Sequence, residues 1–258
     1  MGDDEEIEAI TRHFSDCGFQ VERIPPGDEK TPDLLLIQGG QRFLVELKSR
    51  FDDDEEADRV GAELERGVVA STATTFEFSN KVSKMVRKAA DQLRNHPDPV
   101  ETPRVVLLWA RGTMPEAQEE VFHSTLFGTQ RIAHLTARSL VPAYFFHESA
   151  FFRCRSVLAG AIIVSGDAIE FWLNPFSPRY EILRDSALAV AFSGGNDPRK
   201  KEALGEAYIV DGAHDRRDQA ASLAFLQEKY ELGPIDTFNL GAIRAYVRSD
   251  SDPDLDGD

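Results

Sequence analysis

Two carboxylates and an amine near the start of the chain have the types and spacing that one particular chemistry requires. Asp33 follows Thr31-Pro32 and opens the apolar run Leu34-Leu35-Leu36-Ile37; Gln38-Gly39-Gly40-Gln41 has the composition of a turn; Arg42-Phe43-Leu44-Val45-Glu46-Leu47-Lys48 runs back. A hairpin folded at that turn sets the start of its first strand beside the end of its second. Side chains alternate faces along a strand, so Glu46 and Lys48 share a face with Leu44, and Val45 and Leu47 take the other. Asp33, Glu46 and Lys48 then converge at one edge of a sheet. Hydrolysis of a phosphodiester needs such a set. Carboxylate oxygens hold Mg²⁺, which retains waters and accepts phosphate oxygens. The cation polarises the phosphate and acidifies water, and an amine orients that water and offsets developing negative charge. Asp33 and Glu46 are the expected Mg²⁺ ligands, the carbonyl of Leu47 is a further one, and Mn²⁺ is an acceptable substitute. Lys48 is expected to position or activate the attacking water. Without their strands the same residues are ordinary solvated charges, so the surrounding elements decide the reading.

Those elements follow from hydrophobic periodicity. Ile7, Ile10, Phe14 and Cys17 recur at helical spacing, which predicts a helix over 4–17 stopped by Gly18. Residues 19–24 alternate as a half-buried strand, broken by Pro25-Pro26-Gly27-Asp28. Residues 51–79 read as an acidic loop with a short helix around 60–69. Asn80 is expected to cap a helix whose apolar stripe is Val82, Met85, Val86, Ala89 and Leu93, ended by Pro97-Asp98-Pro99. Residues 104–109 form a fully apolar strand. Helix, strand, strand, strand, helix, strand is the order of an α/β sheet layered with helices. Farther on, 122–135 is expected to be helical. Strands are expected at 143–146, 161–164, 169–173 and 188–192, with a Gly166-Asp167 hairpin, and a last helix at 217–229.

Taken in order, Glu6 or Glu8, Gly18-Phe19, Val21-Glu22-Arg23, Pro32-Asp33 and Glu46-Leu47-Lys48 resemble the start of a PD-(D/E)xK nuclease, in particular an archaeal Holliday-junction resolvase. The resemblance is specific over 5–50 and extends loosely over the first 110 residues. It implies a restriction endonuclease-like core, a central mixed four-stranded sheet flanked by helices, with Mg²⁺ and phosphodiester cleavage. The chain departs from the resolvases at Pro25-Pro26-Gly27, where they often carry a serine, in the segment after Lys48, and throughout its second half. Junction resolution is therefore not carried over. Glu6 is expected as a further catalytic acid, because on a helical wheel it lies beside Ile7, Ile10 and Phe14 while Glu8 is farther around. An acid near a helix N-terminus is also favoured by the helix dipole alone. In the family, the helix after Glu-x-Lys borders the active site, so by resemblance Lys88 and Gln92 reach the scissile phosphate. Lys81, Lys88 and Gln92 flank the apolar stripe and are the expected substrate contacts; an ordinary charged outer face is the alternative.

The net charge of −16 is concentrated. Residues 3–8, 52–58 and 250–258 hold acidic runs without a Lys or Arg that account for all of it, which leaves the remainder of the chain balanced. Strong non-specific binding to nucleic acid is not expected, and a local basic surface is compatible with the balance. His123, His134 and His147 show no ligand spacing and are expected in core or surface positions. Cys17 and Cys154 are too few for a disulfide framework or a thiolate zinc site. No apolar run approaches bilayer length and the first residues lack signal-peptide character, so a cytoplasmic location and no membrane contact are expected. The expected organisation is a nuclease core over 1–110, a C-terminal α+β subdomain of unassigned role over 111–248, and a disordered acidic tail over 249–258. The expected activity is a Mg²⁺-dependent endonuclease acting on DNA, by analogy a restriction or anti-phage effector. An RNA-cleaving enzyme of the same fold and a non-cleaving domain that docks a partner protein are the alternatives. A homodimer or an activating protein partner is also compatible.

Overall fold

The computed structural model describes residues 3–25, 31–50, 54–99, 101–112, 114–136 and 138–246. The break expected over residues 26–28 and the expected disordered tail from 249 lie outside them. The first half folds as α1 (Asp3–Asp16), β1 (Gln20–Arg23), β2 (Leu34–Gln38), β3 (Gln41–Arg50), α2 (Asp54–Glu65), β4 (Ala70–Thr75), α3 (Asn80–Asn95) and β5 (Arg104–Ala110). The second half continues with α4 (Pro115–Phe127), β6 (Gln130–His134), β7 (Ser139–Tyr144), α5 (Ala150–Arg153), β8 (Leu158–Ser165) and β9 (Ala168–Leu173). It ends with α6 (Tyr180–Arg184), α7 (Ala187–Ala191), α8 (Pro198–Ala203), β10 (Tyr208–Ile209), α9 (Gln219–Tyr230), β11 (Ile235–Phe238) and β12 (Gly241–Tyr246).

The central sheet among the described residues has six strands in the order β1-β2-β3-β5-β8-β9 rather than the expected four. β1, β2 and β3 pair antiparallel, β3, β5 and β8 run parallel, and β9 returns antiparallel on β8. The chain is therefore a mixed α/β protein with helices on both faces of a mixed sheet. The sheet crosses the boundary expected at residue 110, because β8 and β9 from the second half complete it. The parallel step from β5 to β8 needs a crossover, and residues 111–157 supply one that itself carries α4, β6, β7 and α5.

Alternation sorts the core into two layers. Leu44, Val106 and Leu108 face α3 and α4, which bury Val82, Val86, Leu93, Phe122 and Phe127 on that side. Phe43, Val45, Leu47, Val105 and Leu107 face α1 and the short α6 and α7, which contribute Ile7, Ile10, Phe14, Leu183 and Leu188. A smaller cluster under α9 involves Ile132, Ala143, Phe146, Val210 and Leu226, beside a second sheet ordered β10-β7-β6-β11. Among the described residues no helix is long and apolar enough to cross a membrane.

Several expectations shift for identifiable reasons. Ser79 rather than Asn80 caps α3, its hydroxyl accepting from the Val82 N–H. The helix expected around 60–69 is α2, which starts earlier, at Asp54, and ends at Glu65. The helix expected over 122–135 ends at Phe127, because Gly128 adopts φ 60° as its cap, and β6 follows. A Cβ at Gly128 would lie 2.5 Å from the His147 carbonyl oxygen, so only glycine fits there. The strand expected over 188–192 is the short helix α7, started by the Ser186 hydroxyl accepting from the Ala189 N–H. The strand expected over 143–146 lies earlier, as β7, and ends at Tyr144.

Gly160 in β8 is a second position fixed by close approach. A Cβ there would meet the Trp172 carbonyl oxygen at 2.7 Å and the Leu183 side chain at 3.0 Å. The first is backbone and cannot rotate away. Gly160→Ala is expected to lower the free energy of urea unfolding by about 1–3 kcal/mol. An unchanged unfolding midpoint would show that β8 and β9 separate freely at this point.

Candidate active site at the fork between β2 and β3

The Gly39-Gly40 turn joins β2 and β3, with both glycines at positive φ, 57° and 77°. From this turn the register runs Gln38↔Gln41 to Leu34↔Val45 and stops. β3 goes on to Arg50, paired among the described residues only with β5 on its other side. The hairpin thus opens into a fork at the level of Glu46. Asp33 stands at the mouth of the fork, and its Oδ2 accepts from the Leu47 N–H at 2.7 Å. A side-chain oxygen has taken the place of the missing ladder partner. In an extended strand the N–H and C=O of one residue point to the same edge, so the Leu47 carbonyl faces the fork as well.

Glu46 and Lys48 lie on the α3 face of β3, as alternation requires. Glu46 is 0 % exposed. One of its oxygens, Oε1, pairs with the Lys48 ammonium. The other, Oε2, is buried without a hydrogen-bond partner. Burial and then the neighbouring Asp33 carboxylate push the Glu46 pKa up to about 7, against the opposing pull of Lys48. Lys48 is a quarter exposed, so its ammonium bridges the buried carboxylate and solvent. A buried carboxylate oxygen with no donor, a second carboxylate beside it and a strand carbonyl facing the same gap form a hard oxygen donor set. That set fits Mg²⁺ or Mn²⁺.

The other expected residues divide. Gln92 is tied to the site: its amide donates to the Thr31 carbonyl at 3.2 Å, bracing the segment that leads into Asp33. Lys88 lies one turn earlier on the same side of α3 and is exposed, as is Lys81 farther along. Glu6 is placed elsewhere. It is 1 % exposed, its Oε2 accepts from the Ser49 hydroxyl, and the Arg111 Nε lies 3.6 Å from its Oε1. Ser49 takes the face of β3 opposite Lys48, so Glu6 belongs with α1 on the other side of the sheet.

No family model matches the chain, and no significant match was found among curated proteins or solved structures. The chemistry of the fork is therefore read from its own residues.

Ser49 and Arg111 carry no motif, and only the parallel pairing of β3 with β5 brings them to Glu6. Their effect is testable. Arg111→Ala leaves the Glu6 carboxylate buried without its nearest cation and is expected to cost about 1–3 kcal/mol in urea unfolding. Adding Glu6→Gln should return most of that loss. If Glu6→Gln alone instead abolished cleavage without changing stability, Glu6 would belong to the catalytic set.

Proposed function

We propose that the chain is a Mg²⁺-dependent nuclease of the PD-(D/E)xK type, hydrolysing phosphodiester bonds in DNA at the fork between β2 and β3. The observation that carries this reading is Glu46, a wholly buried carboxylate with one oxygen on Lys48 and the other without a partner, set against Asp33. An orphaned buried carboxylate oxygen calls for a compensating charge. Glu6 Oε1 also lacks a hydrogen bond but faces the Arg111 guanidinium, whereas Glu46 lies against a second carboxylate, and a cation between the two supplies that charge. The order β1-β2-β3-β5, two antiparallel steps and then a parallel one, supports a restriction endonuclease-like core.

Asp33, Glu46 and the Leu47 carbonyl would hold the cation, which when bound supplies Lewis acidity toward the phosphate. Lys48 orients the attacking water and offsets the charge that builds on the phosphate oxygens. Water adds to phosphorus and gives up a proton to solvent, the bond to the leaving sugar oxygen breaks, and that oxygen takes a proton from solvent to leave as the alcohol. Gln92 keeps Asp33 in place through Thr31. The exposed Lys81, Lys84, Arg87, Lys88 and Arg94 give α3 a basic outer side beside the fork, in a chain whose net charge is otherwise unfavourable to DNA. Lys88→Ala is expected to weaken DNA binding and reduce the slope of log affinity against log salt by about 1. An unchanged slope would remove Lys88 from the contact.

The test is cleavage of linear, supercoiled and single-stranded DNA, and of RNA, with Mg²⁺ or Mn²⁺, by wild type beside Asp33→Ala. Metal-dependent cutting of DNA that Asp33→Ala lacks supports the proposal. Cutting of RNA alone would transfer the same chemistry to the other substrate. Equal cutting by both proteins, or none by either, would overturn it.

A further inference from the structure

A second set of metal-ligating side chains lies outside the fork. Glu119 and His123 are four residues apart on α4 and so project from one face of it. Glu170 reaches them from β9. One donor atom from each, an imidazole nitrogen and two carboxylate oxygens, all lie within 4.8 Å of one another.

The individual distances discriminate between two uses of such a trio. His123 Nε2 is 3.4 Å from Glu170 Oε2 and 3.7 Å from Glu119 Oε1. Charge-assisted N–H···O bonds are shorter, about 2.7–2.9 Å. Two donors each about 2.1 Å from one tetrahedral cation stand about 3.4 Å apart. The imidazole nitrogen thus stands from each carboxylate oxygen at the spacing of ligands around a common centre. Against burial, the same two carboxylates hold the His123 pKa up, so a cation and a proton are the alternative occupants of the gap.

The groups behind them hold that arrangement. The Trp172 indole N–H donates to Glu170 Oε2 at 2.7 Å. The Trp172 ring meets His123 edge-on at 4.6 Å between centroids, and Phe127 stacks on the imidazole at 6.3 Å. The hydrogen bond to Glu170 is the kind of outer support that orients a metal-ligating carboxylate, and the rings limit the rotation of His123. The trio also borders a cavity of about 340 Å³ whose wall includes Tyr144, Arg131 and Lys201, so a fourth position opens onto solvent-accessible space.

We propose that Glu119, His123 and Glu170 form a binding site for a first-row divalent cation of the Zn²⁺ class. Imidazole in the donor set selects such ions over Mg²⁺. Three protein ligands leave one tetrahedral position facing the cavity. The site is separate in residues and in preferred ion from the fork.

Equilibrium dialysis of the full chain against Zn²⁺, and titration with Co²⁺ followed by visible absorption and tryptophan fluorescence, test this without reference to cleavage. Both are run in the Asp33→Ala background, which removes the fork as a competing site. One Zn²⁺ per chain at micromolar concentration is expected, with quenching of tryptophan emission by Co²⁺. His123→Gln and Glu170→Gln, checked for folding by circular dichroism, should each weaken uptake by at least ~10-fold, and Trp172→Phe should abolish the quenching while retaining Zn²⁺ uptake to within ~10-fold. Equal uptake by the Asp33→Ala protein with and without His123→Gln, or no stoichiometric uptake by the Asp33→Ala protein, would overturn the proposal and leave a protonated imidazole between two carboxylates.

Discussion

Lys48→Ala is expected to lower the single-turnover rate of DNA cleavage by ~10³-fold with little change in folding or in DNA affinity. The magnitude follows from the role proposed for the ammonium, which would act on charge that develops at phosphorus and on the orientation of the attacking water, neither of which exists in the ground-state complex. Glu46 is its immediate partner, so the substitution also removes the cation that partly offsets a buried carboxylate. Metal affinity should therefore hold or rise while the rate falls. That separation distinguishes Lys48 from Asp33, whose loss should reduce metal affinity and rate together. Rapid-quench cleavage at saturating Mn²⁺, set beside Mn²⁺ binding to the same variants, measures both. A Lys48→Ala protein that cuts within a few-fold of wild type would remove the amine from the proposed chemistry.

The second large effect is on stability and comes from Glu46. Its carboxyl is pushed up to about 7 in the folded protein from an ordinary value of 4.5, mainly by burial and by the Asp33 charge. Between those two values the native state keeps a proton that the unfolded chain has released. The unfolded state then binds fewer protons, so stability falls as pH rises. Stability from this group is complete below pH 4.5 and is lost progressively as the pH climbs to about 7. The full difference is on the order of 3 kcal/mol. Glu46→Gln keeps the shape and removes the charge. In metal-free buffer it is expected to be more stable than wild type at pH 8 by that order and nearly equal to it at pH 4, while cutting nothing. Mg²⁺ should stabilise the wild type at pH 8 and leave the variant nearly unchanged, because the cation takes the place of the proton. Urea unfolding of both proteins across that pH range, with and without cation, is the measurement. Parallel curves for the two proteins would show that the Glu46 anion carries no burial cost. Taken with the first prediction, the most damaging change for function is a stabilising one for the fold.

The hairpin and the meeting of Asp33, Glu46 and Lys48 were legible because every cue is local. The Gly39-Gly40 turn sets the register, alternation assigns Glu46 and Lys48 to one face, and Pro32-Asp33 marks the strand start. α1, α3, β5 and the β8–β9 hairpin were equally legible from periodicity and turn composition. Errors came where two local signals competed. Gly128 inside an apolar stretch was weaker evidence than the periodicity around it, yet its positive φ ends α4. In the stretch 188–192 the apolar run suggested a strand, while Ser186 as a cap was the signal that prevailed. The expected division at residue 110 followed from a break in resemblance, and a parallel sheet gives no local mark of where its next strand will come from.

By itself the sequence determined which side chains can do chemistry at the hairpin, because residues 31–48 position one another through short-range geometry. Tertiary structure alone decided what surrounds them. It decided that Glu46 is sealed beneath α3 with an oxygen left over, since burial depends on a helix more than thirty positions away in the chain. It decided that Glu6 meets Ser49 and Arg111, since that meeting depends on α1 packing across β3 and β5. It decided that Glu119 and His123 find Glu170, because β9 returns beside α4 only after β8 has joined the sheet. Short-range order is written into neighbouring residues, whereas the meeting of distant ones is set by the packing of the whole core.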